Sequence, residues 1–99
     1  MKKIIYVGKD YKKHGDCFDV CITFDKNEAL DKTDSDRMHL TKQELKRSEH
    51  FVEGFELDIP EGMTAEEAWS WALDEDLPET YNPVFCEKVL TKEEVENDY

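Results

Sequence analysis

The sequence predicts an α+β fold, a small antiparallel sheet of three or four strands packed against two to four short helices. One segment alternates apolar and polar residues as a half-buried strand does, and another places its apolar residues at helical spacing. The chain has 99 residues, enough for one domain with a modest core. We therefore expect one domain over 1–99, with 91–99 as a final helix or a C-terminal tail.

Four segments are predicted as strands from their β-branched, aromatic and alternating residues: 3–8, 17–24, 50–59 and 83–90. The hydrophilic stretch 9–16 is predicted as the hairpin loop between the first two. Alternation assigns the residues of the second segment to two faces, with Phe18, Val20, Ile22 and Phe24 on one and Cys17, Asp19, Cys21 and Thr23 on the other. In the third segment Val52 and Phe55 are three apart, and this break predicts a bulge at Gly54.

Four helix starts share one sequence pattern. An apolar residue precedes Asp or Thr, and a Glu follows three positions later, as in a capping box with a hydrophobic staple. The pattern begins at Phe24, Leu40, Met63 and Leu90. The clearest helix is predicted over 65–73, with Trp71 at the edge of an apolar stripe formed by Ala65, Ala68, Trp69, Ala72 and Leu73. The order β-β-α-α-β-α-β-α predicts a sheet with its helices on one face.

The charge of the chain is concentrated in its second half. Residues 1–50 carry 11 Lys/Arg and 10 Asp/Glu, a net of +1, whereas residues 51–99 carry 2 Lys/Arg and 15 Asp/Glu, a net of −13. The two halves sum to the formal net charge of −12. Such an imbalance concerns solubility and partners rather than the fold, and it indicates a basic partner.

Composition argues against several classes of protein. No apolar run approaches the ~20 residues of a membrane helix, and the apolar start ends at Gly8, too early for a signal peptide. We therefore expect a cytoplasmic protein without a membrane partner. The three cysteines are an odd number without dense spacing, which is typical of reduced thiols. The negative charge repels phosphate, so direct nucleic-acid binding is not expected despite a small basic cluster at Lys2, Lys3, Lys9, Lys12 and Lys13.

No pattern in the chain predicts catalysis or a metal. On one regular strand Cys17 and Cys21 lie ~13 Å apart, too far to join His14 on one zinc ion. The acidic run 31–36 lacks the glycine and glutamate positions of a calcium loop. No histidine belongs to a nucleophile–base signature, and the four glycines form no phosphate loop. We expect a protein that is not an enzyme and has no cofactor.

Acidic residues surround the helix predicted over 65–73. Carboxylates spaced along a rigid surface can imitate the phosphates of a duplex and enter the nucleic-acid cleft of a basic protein, such as a nuclease. An ordinary solubilising surface is the alternative. Trp71 is the expected anchor, because tryptophan is enriched at interface hot spots. The predicted partner-binding residues are Glu66, Glu67, Trp71, Asp74, Glu75, Asp76 and Glu79.

Three stretches, KKIIYV at 2–7, HLTKQEL at 39–45 and VEGFELD at 52–58, resemble small accessory proteins of phages and mobile elements in Gram-positive bacteria. Some similar small acidic phage proteins inhibit host defence nucleases, including anti-CRISPR proteins that mimic DNA. The resemblance implies an inhibitor by strategy and transfers no individual residue. Two alternatives remain open, an antitoxin or immunity protein of a basic ribonuclease and a small enzyme or ligand-binding domain.

Overall fold

The computed structural model describes residues 1–89. Its strands are β1 (Lys2–Lys12), β2 (Cys17–Thr23), β3 (Ser48–Asp58) and β4 (Phe85–Lys88). They form one antiparallel sheet in the order β2-β1-β3-β4. The helices are α1 (Lys26–Met38), α2 (Lys42–Lys46) and α3 (Ala65–Asp74), and a 3₁₀ turn covers Pro78–Tyr81.

This architecture confirms the predicted α+β class. The helix predicted to begin at Leu90 lies outside the described residues, as does the proposed tail over 91–99. Residues 9–12, predicted as loop, continue β1, because each of them pairs with a residue of β3. Within residues 1–89 no helix is long and apolar enough to cross a membrane.

Helices cover both faces of the sheet, so the prediction of helices on one face is wrong. On one side, the α3 face, Ile5 and Phe55 pack with Trp69 of α3. On the other side, the α1 face, Val52 packs with Ala29 of α1. In the central strands, residues that point to either face of the sheet are therefore buried. The prediction assumed that only one face is covered, and it could not account for this.

The second covered face also removes the need for a bulge at Gly54. Strands β1 and β3 pair without interruption from Lys2–Asp58 to Lys12–Ser48, so that predicted bulge is wrong. Val52 and Phe55 are both buried because each points to a different covered face. A glycine occupies position 54 because there is little room for a side chain, since a Cβ atom there would lie 3.1 Å from both Phe85 and Tyr6.

A bulge occurs in β2 instead. Gly8 pairs with Cys21 and Lys9 with Asp19, which leaves Val20 without a partner in the register. The extra residue reverses the alternation, so the predicted face assignment of this strand is wrong. Ile22 packs against the buried residues on the α3 face, whereas Phe18 is 53% exposed. Cys17 and Cys21 pair with residues of opposite parity on β1, and they therefore lie on opposite faces.

The predicted helix starts are present where the structure describes them. Thr41 and Thr64 form complete capping boxes with Glu44 and Glu67. Asp25 caps α1 through its side chain, but Glu28 turns to Thr23 and Lys32 and does not return to the Asp25 backbone. The first pattern therefore marks the helix start correctly and only half of the box forms.

Candidate partner-binding face

Helix α3 is fixed on the sheet by its apolar side. Ala65, Ala68, Trp69 and Ala72 are buried, and the Trp69 ring lies 4.7 Å from the Phe55 ring, centroid to centroid. At its start the Thr64 hydroxyl accepts from the Glu67 amide, and the Glu67 carboxylate accepts from the Thr64 amide. The outer side of α3 is therefore presented by a rigid element.

Six carboxylates of the predicted site lie on this exposed side and on the turn that follows. We call them the acidic surface: Glu66, Glu67, Asp74, Glu75, Asp76 and Glu79. The eight residue-to-residue steps from Glu66 to Asp74 correspond to about 12 Å at the ~1.5 Å rise of an α-helix. The six carboxylates thus form two clusters, one at each end of α3, and Glu79 of the second cluster lies in the 3₁₀ turn.

The acidic surface forms no ion pair within the described residues, and its one attraction to a base there is that between Glu66 and Lys32, which does not reach ion-pair distance. No side chain of residues 1–89 forms an ion pair with any of its six carboxylates. Hydrogen bonds from Thr64 lower the pKa of Glu67, so this carboxylate stays charged in mildly acidic solution. Several acids of the sheet and α1 differ, because Asp10 pairs with Lys12 and Glu28 with Lys32.

The structure changes the apolar part of the predicted site. Trp71 is partly buried and packs against the α3 core, so only part of its side chain is accessible. Leu73, predicted in the buried stripe, is 48% exposed, and this placement is wrong. Tyr81 is 70% exposed, and its hydroxyl donates to the Asp76 carboxylate at 2.9 Å. Leu73 and Tyr81 are therefore exposed side chains beside the acidic surface that the sequence pattern missed.

Asp76 occupies a special backbone position after α3. Its φ is +52°, in the left-handed region that aspartate tolerates better than most residues. The Leu77 amide returns to the Ala72 carbonyl at 3.2 Å, which closes the end of the helix. Backbone geometry and the bond from Tyr81 together set the position of this carboxylate.

The lysines of the predicted basic cluster do not form one free patch. Lys9 lies 3.7 Å from the Glu53 carboxylate, and Lys12 lies 2.8 Å from Asp10 and 2.9 Å from the Ser48 hydroxyl. Lys3 places its ammonium group 4.7 Å from the Phe24 ring centroid. Of the cluster, Lys2 and Lys13 remain exposed with neither an ion pair nor a ring contact in the described residues.

A buried polar cluster under α1 was not found from the sequence. His50 is fully buried, its Nδ1 lies 3.2 Å from Arg37 Nη1, and its Nε2 lies 3.0 Å from Asp36 Oδ2. Asp10 Oδ2 lies 3.7 Å from the same Nε2. Asp10 and His50 are paired across β1 and β3, and this register is not visible in the sequence, which therefore carries no signal for the cluster.

Asp10, Asp36 and His50 offer ligand atoms within 4.8 Å of one another, a spacing that a metal ion can bridge. The guanidinium of Arg37 can only donate, so Nδ1 accepts and Nε2 carries the imidazole proton. A metal would need the Nε2 lone pair, and the displaced proton on Nδ1 would face Arg37. Metal-bound histidines normally donate from their other nitrogen to an acceptor. The geometry therefore favours an Nε2–H that donates to the Asp36 carboxylate over a metal ion.

The cysteines lack the setting of a reactive thiol. Cys17 and Cys86 are exposed on strand ends of the sheet, and Cys21 is partly buried against α1. Desolvation raises the pKa of Cys17 and of Cys86, and the nearby Glu53 raises both further. A raised thiol pKa lowers the thiolate fraction and with it the nucleophilicity.

The structure thus brings the predicted acidic residues together around α3 and leaves Trp71 only partly accessible. Comparisons of the chain with protein-family models, with curated proteins and with solved structures give no match. The arrangement of charge and exposed apolar side chains around α3 is the basis of the function proposed next.

Proposed function

We propose that this chain is a non-enzymatic acidic binding protein that blocks a basic, nucleic-acid-binding protein. The target would be a host nuclease, and the chain would be an inhibitor carried by a phage or mobile element that acts by nucleic-acid mimicry. The acidic surface would occupy the cleft that normally holds phosphates. An antitoxin or immunity protein of a basic ribonuclease would use the same surface and differs only in its target.

One observation carries this proposal. Between residues 51 and 86 the chain has ten acidic residues and no lysine or arginine. Six of the ten form the acidic surface, exposed and without an ion-pair partner among the described residues. Like charges held on one rigid element repel one another, and a basic cleft would relieve that repulsion on binding.

Apolar side chains beside the carboxylates support a protein partner. Leu73 and Tyr81 are exposed, and Tyr81 is fixed by its bond to Asp76. Charges govern encounter and orientation, whereas buried apolar and aromatic contacts supply most of the binding energy at such interfaces. Carboxylates with exposed apolar side chains beside them suit a protein cleft better than they suit small cations in solution.

Burial of the histidine cluster favours binding over catalysis. His50 has neighbours that suit acid–base chemistry, but its side chain is fully buried between the sheet and α1. A general base must reach the proton that it abstracts within hydrogen-bond distance. A substrate could approach His50 only after α1 had moved away.

The experiment is a pull-down with the tagged chain from a lysate of its native host, at low and at high salt. The test variant is Asp74→Lys/Glu75→Lys/Glu79→Lys, which changes the net charge by +6, from −12 to −6. Asp76 is kept because of its φ of +52° and its bond from Tyr81. Lysines at the C-terminal end of α3 suit the helix dipole, so the fold should survive.

The matched control is Lys13→Glu/Lys42→Glu/Lys46→Glu, which replaces three exposed bases and changes the net charge by −6. Lys9 and Lys12 are unsuitable for this control because they pair with Glu53 and Asp10. We expect a basic nucleic-acid-binding protein to be captured at low salt by the wild type and the control but not by the test variant. Equal capture by both variants would contradict the proposal.

A further inference from the structure

A groove lies between the end of β2 and the start of α3. Its volume is about 570 Å³, and the described residues that line it are Ile22, Thr23, Phe24, Asp25, Thr64, Ala65 and Glu66. The floor is apolar, from Ile22, Phe24 and Ala65, and the two charged lining residues are both carboxylates. Concave sites with an apolar lining and a few placed polar groups are typical binding sites.

We propose that this groove receives an arginine side chain of the basic partner. The inference rests on the proposed function and adds the residue type that the partner inserts. The three-carbon stem of arginine would lie on Ile22 and Ala65, and the guanidinium would reach Asp25 and Glu66. Arginine suits such a site because its planar group bonds to carboxylates and stacks on aromatic rings.

Both walls of the groove are held in place before any ligand arrives. Thr23 is buried, and its hydroxyl accepts from the Asp25 amide at 3.1 Å and lies 3.2 Å from Glu28 Oε2. On the other wall the Thr64–Glu67 capping box fixes the first turn of α3. Little conformational entropy is then lost on binding, which favours affinity for a single side chain.

The Asp25 carboxylate retains an oxygen for a ligand. Its Oδ1 accepts from the amides of Asn27 and Glu28, at 2.9 and 3.4 Å, and thereby caps α1. Its Oδ2 has no hydrogen bond within residues 1–89, and Glu66 forms no ion pair there. Both carboxylates can therefore accept from a guanidinium without breaking an internal contact.

The Phe24 ring already holds a cation in the free protein. The ammonium of Lys3 lies 4.7 Å from the ring centroid, within the range of a cation–π contact. The sequence therefore offers one aromatic face that attracts positive charge beside the two carboxylates. An incoming guanidinium would compete with Lys3 for this face.

The local field remains favourable to a cation despite two helix starts nearby. The ends of α1 and α3 contribute about half a positive charge each. Their first turns and caps carry four carboxylates, Asp25, Glu28, Glu66 and Glu67. Lys32 pairs with Glu28, and within residues 1–89 the ammonium of Lys3 is held only by its contact with the Phe24 ring, which a ligand can replace. Lys26, the one base in these first turns, places its ammonium over the Phe85 ring instead, so the remaining carboxylates outweigh the helix dipoles.

The test is a titration of the ¹⁵N-labelled chain with acetyl-tetra-arginine amide at low salt. The readout is the change in the backbone amide chemical shifts of the chain. The variant Asp25→Asn/Glu66→Gln removes both groove carboxylates and keeps a cap, because asparagine caps helices as well as aspartate. The matched control Asp74→Asn/Glu75→Gln removes the same charge at the other end of α3.

We expect saturable shifts centred on residues 22–25 and 64–66. The groove variant should bind the peptide at least ~5-fold more weakly, and the control less than ~2-fold more weakly, because only the first loses direct contacts. Shifts centred on 73–79, or equal losses in both variants, would overturn the groove and leave only diffuse charge attraction.

A second pair of variants tests the aromatic contact. Lys3→Ala removes the competing ammonium and should tighten peptide binding more than Lys2→Ala, which removes the same charge without uncovering Phe24. Equal effects would remove Phe24 from the site. The groove and the proposed function fail separately: unchanged peptide affinity in Asp25→Asn/Glu66→Gln overturns the groove, whereas wild-type capture by the Asp74, Glu75 and Glu79 variant overturns the proposed function.

Discussion

At the scale of single residues, the α1 face depends on a few tight contacts. Gly8 lies directly under Thr33, and a Cβ atom at Gly8 would come within 2.1 Å of the Thr33 hydroxyl oxygen. Thr33 is fully buried, and its hydroxyl has no hydrogen-bond partner within the described residues. The close approach brings α1 down onto β1 and places Asp36 beside His50.

Gly8→Ala should therefore destabilise the fold by about 1–3 kcal/mol, the usual range for overpacking a core. Thr33→Ala removes the obstructing oxygen, so the double variant should recover most of the loss. Urea unfolding of the four proteins gives the coupling energy between the two positions. A coupling near zero would show that α1 can move away from the sheet without cost.

Tyr11 provides a prediction for alkaline solution. Burial raises its pKa, and the hydrogen bond that its hydroxyl donates to Glu53 raises it further. Because the folded pKa lies above the unfolded value of ~10, the contribution to stability is present below pH ~10 and is lost as the pH rises.

In a tyrosinate absorbance titration, Tyr11→Phe should remove the component that ionises last. The same variant should make the free energy of unfolding less sensitive to pH above ~10. If the component removed by Tyr11→Phe ionises in the ordinary tyrosine range, the contact with Glu53 does not protect the phenol.

At the scale of elements, the sequence predicted what local chemistry determines. The capping residues Thr41 and Thr64 located two helix starts, because a cap and its glutamate lie within one turn. The face assignment of β2 failed at Val20, since a bulge depends on how the neighbouring strand pairs. The burial of Val52 and Phe55 together signalled two covered faces, and a bulge at Gly54 was the wrong explanation.

The site was predicted in its charge and less well in its apolar part. Exposure of the acidic surface follows from composition, because carboxylates are rarely buried without a partner. Leu73 and Trp71 lie at opposite edges of the apolar stripe of α3, and the sequence does not determine which edge the sheet covers. His50 and Asp36 are brought together by tertiary packing alone.

The two capping boxes should differ in their importance. Thr64→Ala should cost about 1 kcal/mol, because it removes the cap of a helix with four buried residues. Thr41→Ala is the matched control, since the five-residue α2 buries no side chain and can fray without exposing the core. Thermal unfolding of both variants checks this order, and the reverse order would contradict the assigned role of α3.

Trp69 should be the residue of α3 on which the core depends most. It is 4% exposed and packs on Phe55, so Trp69→Ala should cost about 3–5 kcal/mol. Leu73→Ala, at a position 48% exposed, should cost less than ~1 kcal/mol. Denaturant unfolding measures both, and a loss below ~1 kcal/mol for Trp69→Ala would remove it from the core.

At the scale of the whole molecule, paired and unpaired acids occupy different parts of the fold. Several acids of β1, β3 and α1 are paired with bases, whereas the acidic surface of α3 is left without ion pairs in the described residues. Coulomb attraction from such a surface extends over ~10 Å at 0.1 M salt. Steering of this kind raises association rates and falls steeply with ionic strength.

The most direct measurement of the central claim is displacement of nucleic acid from the captured target. A labelled duplex is bound to the target at about 0.1 M salt or below, and its fluorescence anisotropy is followed as the chain is added. We expect the wild type to release the duplex, and the Asp74, Glu75 and Glu79 reversal variant to require at least ~10-fold more protein. Binding of the chain with the duplex still in place, or equal release by both proteins, would contradict nucleic-acid mimicry by the acidic surface.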